Sequence, residues 1–253
     1  MALFLVATPI GNLSDISTRA LETLRNADLI ACEDTRQSLK LLNHFGIQKP
    51  LVSYHDFNEE KKAQELGRKI AEGMKVALVS DAGMPGISDP GYRLVRYCRE
   101  AGLEVIAIPG ANAAITALAA SGLPSDEFFF AGFLPPKKNA RKEKLEGLRS
   151  LRATLVFYEA PHRIEEVLED MQAILGDREA CVARELTKLH EECLFGKLSE
   201  ILSRVKPLGE FVIVVRGATS EEPAEKAPLT RESVLKTLGI SRNELYALFF
   251  KKK

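Results

Sequence analysis

The chain has 253 residues, 45% hydrophobic and 28% charged, and its acidic and basic residues balance to a formal net charge of zero. That length suits one large or two modest domains with a substantial core, and neutrality excludes a global pull toward nucleic acid or membrane, so any polyanion site has to be a local patch. Cys32, Cys98, Cys181 and Cys193 show no Cys-x-x-Cys spacing and sit in or beside apolar runs, which argues for reduced thiols in a cytoplasmic protein and against a zinc site or a disulfide framework.

The opening run, residues 1–7, is apolar but brief and lacks a basic flank, so it reads as a first strand at 3–7 and not as a signal peptide. No apolar run approaches the ~20 residues that a membrane helix needs. The first strand ends in Thr8-Pro9-Ile10-Gly11-Asn12, and Ser14 to Ser17 offer caps for a helix over 18–26 with Ala20, Leu21 and Leu24 inward. A second strand at 28–32 runs into Glu33-Asp34-Thr35-Arg36. Taken alone, that quartet reads best as a helix N-terminus, with Asp34 or Thr35 as cap and the acids offsetting the dipole. A third strand at 51–54 leads to His55-Asp56-Phe57-Asn58, and a charged helix spans 59–72.

The stretch that organises the chain comes next. An apolar strand at 76–79 hands over to Ser80-Asp81-Ala82-Gly83-Met84-Pro85-Gly86-Ile87-Ser88-Asp89-Pro90-Gly91, and a helix follows from Tyr92. Strand-to-helix loops usually run about 2–6 residues, so twelve residues point to a ligand loop: glycine permits close backbone approach and proline holds one shape. A strand at 104–108 ends in Pro109-Gly110-Ala111-Asn112, before a helix over 113–121 built almost wholly of small residues. Packing of that helix on a sheet accounts for the alanines, whereas Pro109-Gly110 is better explained by a ligand. Three strand ends thus carry the same Pro/Gly chemistry, at the place where α/β sheets bind ligands. Neither a Walker A pattern nor Gly-x-Gly-x-x-Gly occurs.

The run Val6-Ala7-Thr8-Pro9-Ile10-Gly11-Asn12-Leu13 resembles the opening of the ribosomal RNA small subunit methyltransferase I family, within the tetrapyrrole methylase superfamily. So do Ala31-Cys32-Glu33-Asp34-Thr35-Arg36, Ser80-Asp81-Ala82-Gly83, Ile87-Ser88-Asp89-Pro90-Gly91-Tyr92 and Ser121-Gly122-Leu123-Pro124. Phe157-Tyr158-Glu159, Pro161-His162-Arg163 and Arg184-Glu185-Leu186-Thr187-Lys188 continue the match, which is collinear over 3–217. Met84 and Gly86 stand where the family has Thr and Leu, Ala111-Asn112 replaces Pro-Ser, and Ala160 replaces Ser.

The resemblance implies two α/β domains with a cofactor cleft between them, S-adenosylmethionine as cofactor, and a homodimer. The domains fall at 1–122 and 123–219, with a linker and short helical appendage at 220–253. The implied reaction is methyl transfer to the ribose 2′-hydroxyl of a cytidine in the decoding region of 16S ribosomal RNA, within the small ribosomal subunit, with no metal and no membrane. The implied cofactor contacts are Pro9, Gly11, Asp81, Ala82, Gly83, Pro85, Ile87, Pro109, Gly110, Ala113 and Ala114, with Tyr158, Ala183 and Phe211 on the far wall. A ribose hydroxyl is a poor nucleophile when neutral, so a general base is expected; Glu33, Asp34, His55, Asp56 and Glu159, all at strand ends, are the candidates.

In the second half, strands are expected at 128–131, 154–158, 180–183 and 209–215, with Pro161 in the first turn of a helix to Leu175. Lys137, Lys138, Arg141, Lys142 and Lys144 face one acid, Glu143, within eight residues. Such runs are usually solvated faces; with this resemblance, they and Arg36 are expected to contact RNA phosphates. Glu159, Arg184 and Glu185 are open to a second reading as an internal ion-pair network. A porphyrinoid methyltransferase and a non-catalytic ribosome-assembly factor of the same fold remain alternatives. Past a polar linker, two short helices with a basic tip are expected at the end of the chain.

Overall fold

A computed structural model describes residues 1–219; the expected linker and helical appendage at 220–253 lie outside them. The first half is a five-stranded, wholly parallel sheet in the order β3-β2-β4-β1-β5. Its strands are β1 (Ala2–Val6), β2 (Leu29–Cys32), β3 (Leu51–Ser53), β4 (Lys75–Val79) and β5 (Val105–Ile108). Parallel strands covered on both faces read as unbroken apolar runs, and Leu29-Ile30-Ala31-Cys32 is buried throughout. Leu3, Ala31, Val76 and Leu78 pack on one face against α3 (Glu59–Ala71) and α4 (Tyr92–Glu100). Val6, Ile30, Ala77 and Val79 pack on the other against α1 (Thr18–Asn26) and α2 (Thr35–His44). Because all five strands run the same way, the loops after them meet along one edge of the sheet.

The second half is a mixed sheet, β6-β7-β10-β8-β9. It comprises β6 (Phe128–Phe133), β7 (Thr154–Glu159), β8 (Glu179–Arg184), β9 (Glu192–Lys197) and β10 (Phe211–Val215). The sequence pattern marks no strand at β9 because this edge strand buries only Leu194. One face of the sheet packs on α6 (Lys138–Leu148), α7 (Ile164–Leu175) and α8 (Leu198–Leu202). The other face receives α5 (Ala113–Ala120) from the first half: Ala114, Ala117 and Leu118 lie against Val156, Ala183, Val212 and Val214. Helix-on-sheet packing thus accounts for the alanines, although the sheet concerned is the second one. Met1–Gly217 forms one compact unit, and among the described residues no helix is long and apolar enough to cross a membrane.

One member of the basic run is misplaced by sequence reasoning. Arg141 has no exposed surface: its Nε donates to Asp170 Oδ2 at 2.7 Å, and its guanidinium also pairs with Glu166. It ties α6 to α7 and offers nothing to a phosphate, while Lys142 lies 3.6 Å from Asp170. A lysine- and arginine-rich stretch does not reveal which of its residues the helix turns inward. Removing Asp170 leaves buried Arg141 with only the half-exposed Glu166 as its counter-charge, so Asp170→Ala is expected to destabilise the protein by up to about 3 kcal/mol in urea unfolding at neutral pH.

Candidate active site

The loops after β1 and β4 are stitched together. The Thr8 amide donates to the Gly83 carbonyl at 2.9 Å, the Gly83 amide donates to the Thr8 carbonyl at 3.1 Å, and the buried Thr8 hydroxyl donates to the Ser80 carbonyl at 3.3 Å. The β1 loop also meets the second half. At Gly11 a Cβ would fall 2.9 Å from Thr187 Oγ1 and 3.1 Å from the Leu186 carbonyl, so only glycine fits there. The Asn12 amide donates to that Thr187 hydroxyl at 3.1 Å. On the other side of the cleft, the Ala114 amide at the start of α5 donates to the Tyr158 hydroxyl at 3.3 Å.

These contacts enclose a cavity of about 350 Å³ between the two sheets. Ile10, Ala82, Gly83, Met84 and Ile87 wall it from the first half, with Asn112 and Ala113 at the start of α5. The second half supplies Phe133, Tyr158, Ala183, Leu186 and Phe211. Among these mostly apolar walls stand three carboxylates, Asp89, Glu159 and Glu210, the last paired with Lys188 at 2.9 Å. Glu159 is 2% exposed; its Oε1 accepts from the Ala160 amide at 2.8 Å, whereas Oε2 has no hydrogen-bond partner and lies 3.4 Å from Arg163 Nη2. Burial pushes the Glu159 carboxyl above the usual range. Asp89 is pushed up to about 6, first by burial and then by the charges of Glu33 and Asp81.

Asp89 also borders a group of acids at the ends of β2, β3 and β4. Glu33 is raised by burial and by the charges of Asp81 and Asp56. Asp34 behaves oppositely. It caps α2, its carboxylate accepts from Arg36 Nε and Nη2 at 3.1 and 2.7 Å, and those bonds hold it down to about 2. Such a carboxylate is a weak base, so the helix-cap reading of the quartet describes Asp34, and Arg36 is its partner. His55 is turned into its own loop, where Nε2 meets Asn58 Nδ2 at 3.1 Å. Among the described residues no group of three or more His, Cys, Asp or Glu side chains is placed to hold a metal ion.

Of the residues expected at the cofactor, Ala82, Gly83, Ile87, Ala113, Tyr158, Ala183 and Phe211 line the cavity, and Glu159 joins them from the candidate bases. Pro9, Gly11, Asp81, Pro85, Pro109, Gly110 and Ala114 do not. Two of them make other contacts: Asp81 Oδ1 accepts the Asp34 amide at 3.1 Å, and a Cβ on Gly110 would meet Ala7 Cβ at 2.8 Å. Close packing on Ala7 is by itself enough to require glycine at 110. Glu33, Asp34 and His55 stand outside the lining as well. Asn112, the replacement for a family Ser, keeps the capping role by accepting from the Ile115 amide at 3.1 Å. Arg184 pairs with Glu192 at 3.2 Å and Glu185 with Lys188 at 2.8 Å, in keeping with the ion-pair reading of that loop.

Sequence reasoning passed over Asp89 as a chemical group. Its signal was present: an Asp-Pro-Gly closing a long ligand loop at a helix start. Phe133 was also missed, since nothing in Phe128-Phe129-Phe130-Ala131-Gly132-Phe133 says which ring faces the cleft.

Two α/β sheets with a cleft walled by strand-end loops define the class. The chain belongs to the tetrapyrrole methylase family: the model of "Tetrapyrrole (Corrin/Porphyrin) Methylases" matches residues 2–202. Within it, the chain is similar to proteins named ribosomal RNA small subunit methyltransferase I. The one from Halalkalibacterium halodurans is 53% identical over 227 residues, covering 88% of this chain and 78% of the relative. The Haemophilus influenzae protein is 47% identical over 267 aligned positions, covering 96% and 94%. Among solved structures, a diphthine synthase superposes with a TM-score of 0.67 at 20% identity, over 87% of this chain and 91% of that one, a likeness of fold.

The Asp89 carboxyl has a testable cost. Its pKa in the folded chain, about 6 against an ordinary 3.8, means that the folded state binds its proton more tightly than the unfolded one. Stability from this group is full below about pH 4, falls between about 4 and 6, and stays low above that. Asp89→Asn is expected to stabilise the protein by roughly 1–3 kcal/mol at pH 7.5, with the gain gone at pH 3.5, in paired urea titrations.

Proposed function

We propose that this chain is an S-adenosylmethionine-dependent methyltransferase that methylates the 2′-hydroxyl of a cytidine ribose in the decoding region of 16S ribosomal RNA. We place it in the cytoplasm, acting as a homodimer on the small ribosomal subunit, with domains at 1–122 and 123–219. The observation that carries the reading is the carboxylate-bearing cavity between the sheets, in a chain whose relatives at 47–53% identity are named for this RNA.

The cavity suits that cofactor by its own chemistry. Ile10, Met84, Tyr158 and Phe211 give apolar walls for a purine-sized ring, and Glu159, whose Oε2 accepts no hydrogen bond, suits a hydroxyl or cationic group. When bound, S-adenosylmethionine supplies a methyl group already activated on a sulfonium. The chain's own part is to hold the acceptor ribose in line and take its proton. Asp89 is the group we assign to the proton: it lines the cavity, and with a pKa of about 6 it is ionised at neutral pH without being a weak base. Glu33 and Asp81 act through it, since their charges raise it. Glu159 fixes the polar side of the cofactor, and the apolar walls keep water from the reacting atoms.

Methyl transfer from labelled S-adenosylmethionine to small subunits from cells lacking this protein tests the reading. Label is expected in the RNA, in a dinucleotide resistant to alkaline cleavage after one cytidine. Label absent from RNA, or on a base, would refute it. Asp89→Asn is expected to lower kcat by about 10²–10⁴-fold with cofactor affinity preserved.

A further inference from the structure

Phe133 ends an edge strand, is 55% exposed, and yet lines the cavity. Strict alternation would send it elsewhere. Phe130 lies on the α5 face of the sheet with Tyr158, and a residue three positions on belongs to the opposite face. A bulge reverses this. Phe130 pairs with Val156, but Gly132 pairs with Phe157 and Phe133 with Tyr158, so one extra residue has been inserted. Gly132, at φ +64°, supplies the left-handed backbone that such a bulge uses. Phe133 thereby lands on the cavity face, its ring centroid 5.6 Å from that of Tyr158 and tilted by 58°. Single exposed apolar residues need no explanation; one re-aimed into a cleft by a bulge does, since bulges recur beside active sites for this purpose.

A space of about 350 Å³ is of small-ligand size and cannot admit a duplex, so a ribose reaches it only when its nucleotide leaves the stack. The freed base then needs a new surface, and aromatic side chains are the usual one. The charges beyond Phe133 fit the same occupant. Lys137 and Lys138 are exposed and follow it by four and five residues, a reach of at most about 18 Å. Tyr158 is less available, because its hydroxyl is engaged by the Ala114 amide and its ring meets Phe130 edge-on at 5.1 Å.

We infer that Phe133 is the stacking platform for the unstacked target base of a single-stranded RNA segment, with Lys137 and Lys138 holding the adjoining phosphates. This rests on the function proposed above. The test compares wild type, Phe133→Ala and Phe133→Tyr, measuring methyl transfer to unmethylated small subunits and, separately, S-adenosylmethionine affinity by calorimetry. Phe133→Ala is expected to lower kcat/KM for the subunit by about 10–100-fold while cofactor affinity stays within twofold, and Phe133→Tyr to restore most of the loss. Lys137→Ala/Lys138→Ala should flatten the salt dependence of subunit binding by up to two phosphate contacts. Weaker cofactor binding by Phe133→Ala with an unchanged KM for the subunit would make the ring part of the cofactor wall and overturn the inference. Wild-type transfer matched by Phe133→Ala would overturn it alone, whereas no transfer by the wild type would overturn the proposed function and this inference together.

Discussion

The α5 backbone lies against the second sheet, and the dimensions of the cleft follow from that approach. Ala114 and Ala117 present almost no side chain toward Val212 and Val214, and the Ala114 amide reaches the Tyr158 hydroxyl. A larger residue at either alanine would lift the helix and pull the start of α5 away from Tyr158, both of which line the cavity. Gly11 does the same work at the other contact, where the loop after β1 meets 186–188. The two sheets have separate cores on their outer faces. It is these small-residue contacts that make one cavity out of two half-walls.

Within that cavity the protein accepts an electrostatic penalty. Asp89 and Glu159 are both withdrawn from water, and Asp89 has further carboxylates as neighbours. A fold selected only for stability would neutralise such groups or set opposite charges against them, as it does at Arg141 with Asp170 and Glu166. The contrast separates two uses of buried charge. One network joins helices; the other leaves a carboxylate oxygen with no hydrogen bond beside a cavity, which is where strain and reactivity tend to be stored.

Most strands were legible because buried parallel strands leave continuous apolar runs; 29–32 and 76–79 announce themselves in this way. The edge strand β9 did not, since an edge needs only one buried residue to hold it. In the site, composition could mark the loops but not the direction of any side chain. Pro109-Gly110 and Ala82-Gly83 look alike in sequence, yet one packs on Ala7 and the other faces the cavity. Arg141 and Lys138 share a basic run and lie three residues apart in α6, yet one is buried against α7 and the other, in the first turn, is exposed. Asp34 and Asp89 are both acids in strand-to-helix connections, but hydrogen bonds from Arg36 hold the first down to about 2 while burial pushes the second up to about 6.

The position of β1 has a consequence for biosynthesis. It is the first segment of the described chain to be made, yet it sits inside the sheet between β4 and β5, and Leu3 pairs with Val76. At about 5–20 residues per second, an elongating chain waits roughly 4–15 s between these two residues. Through that interval an apolar strand with both edges open is held as a nascent chain, and its protection depends on whatever shelters it at the tunnel exit.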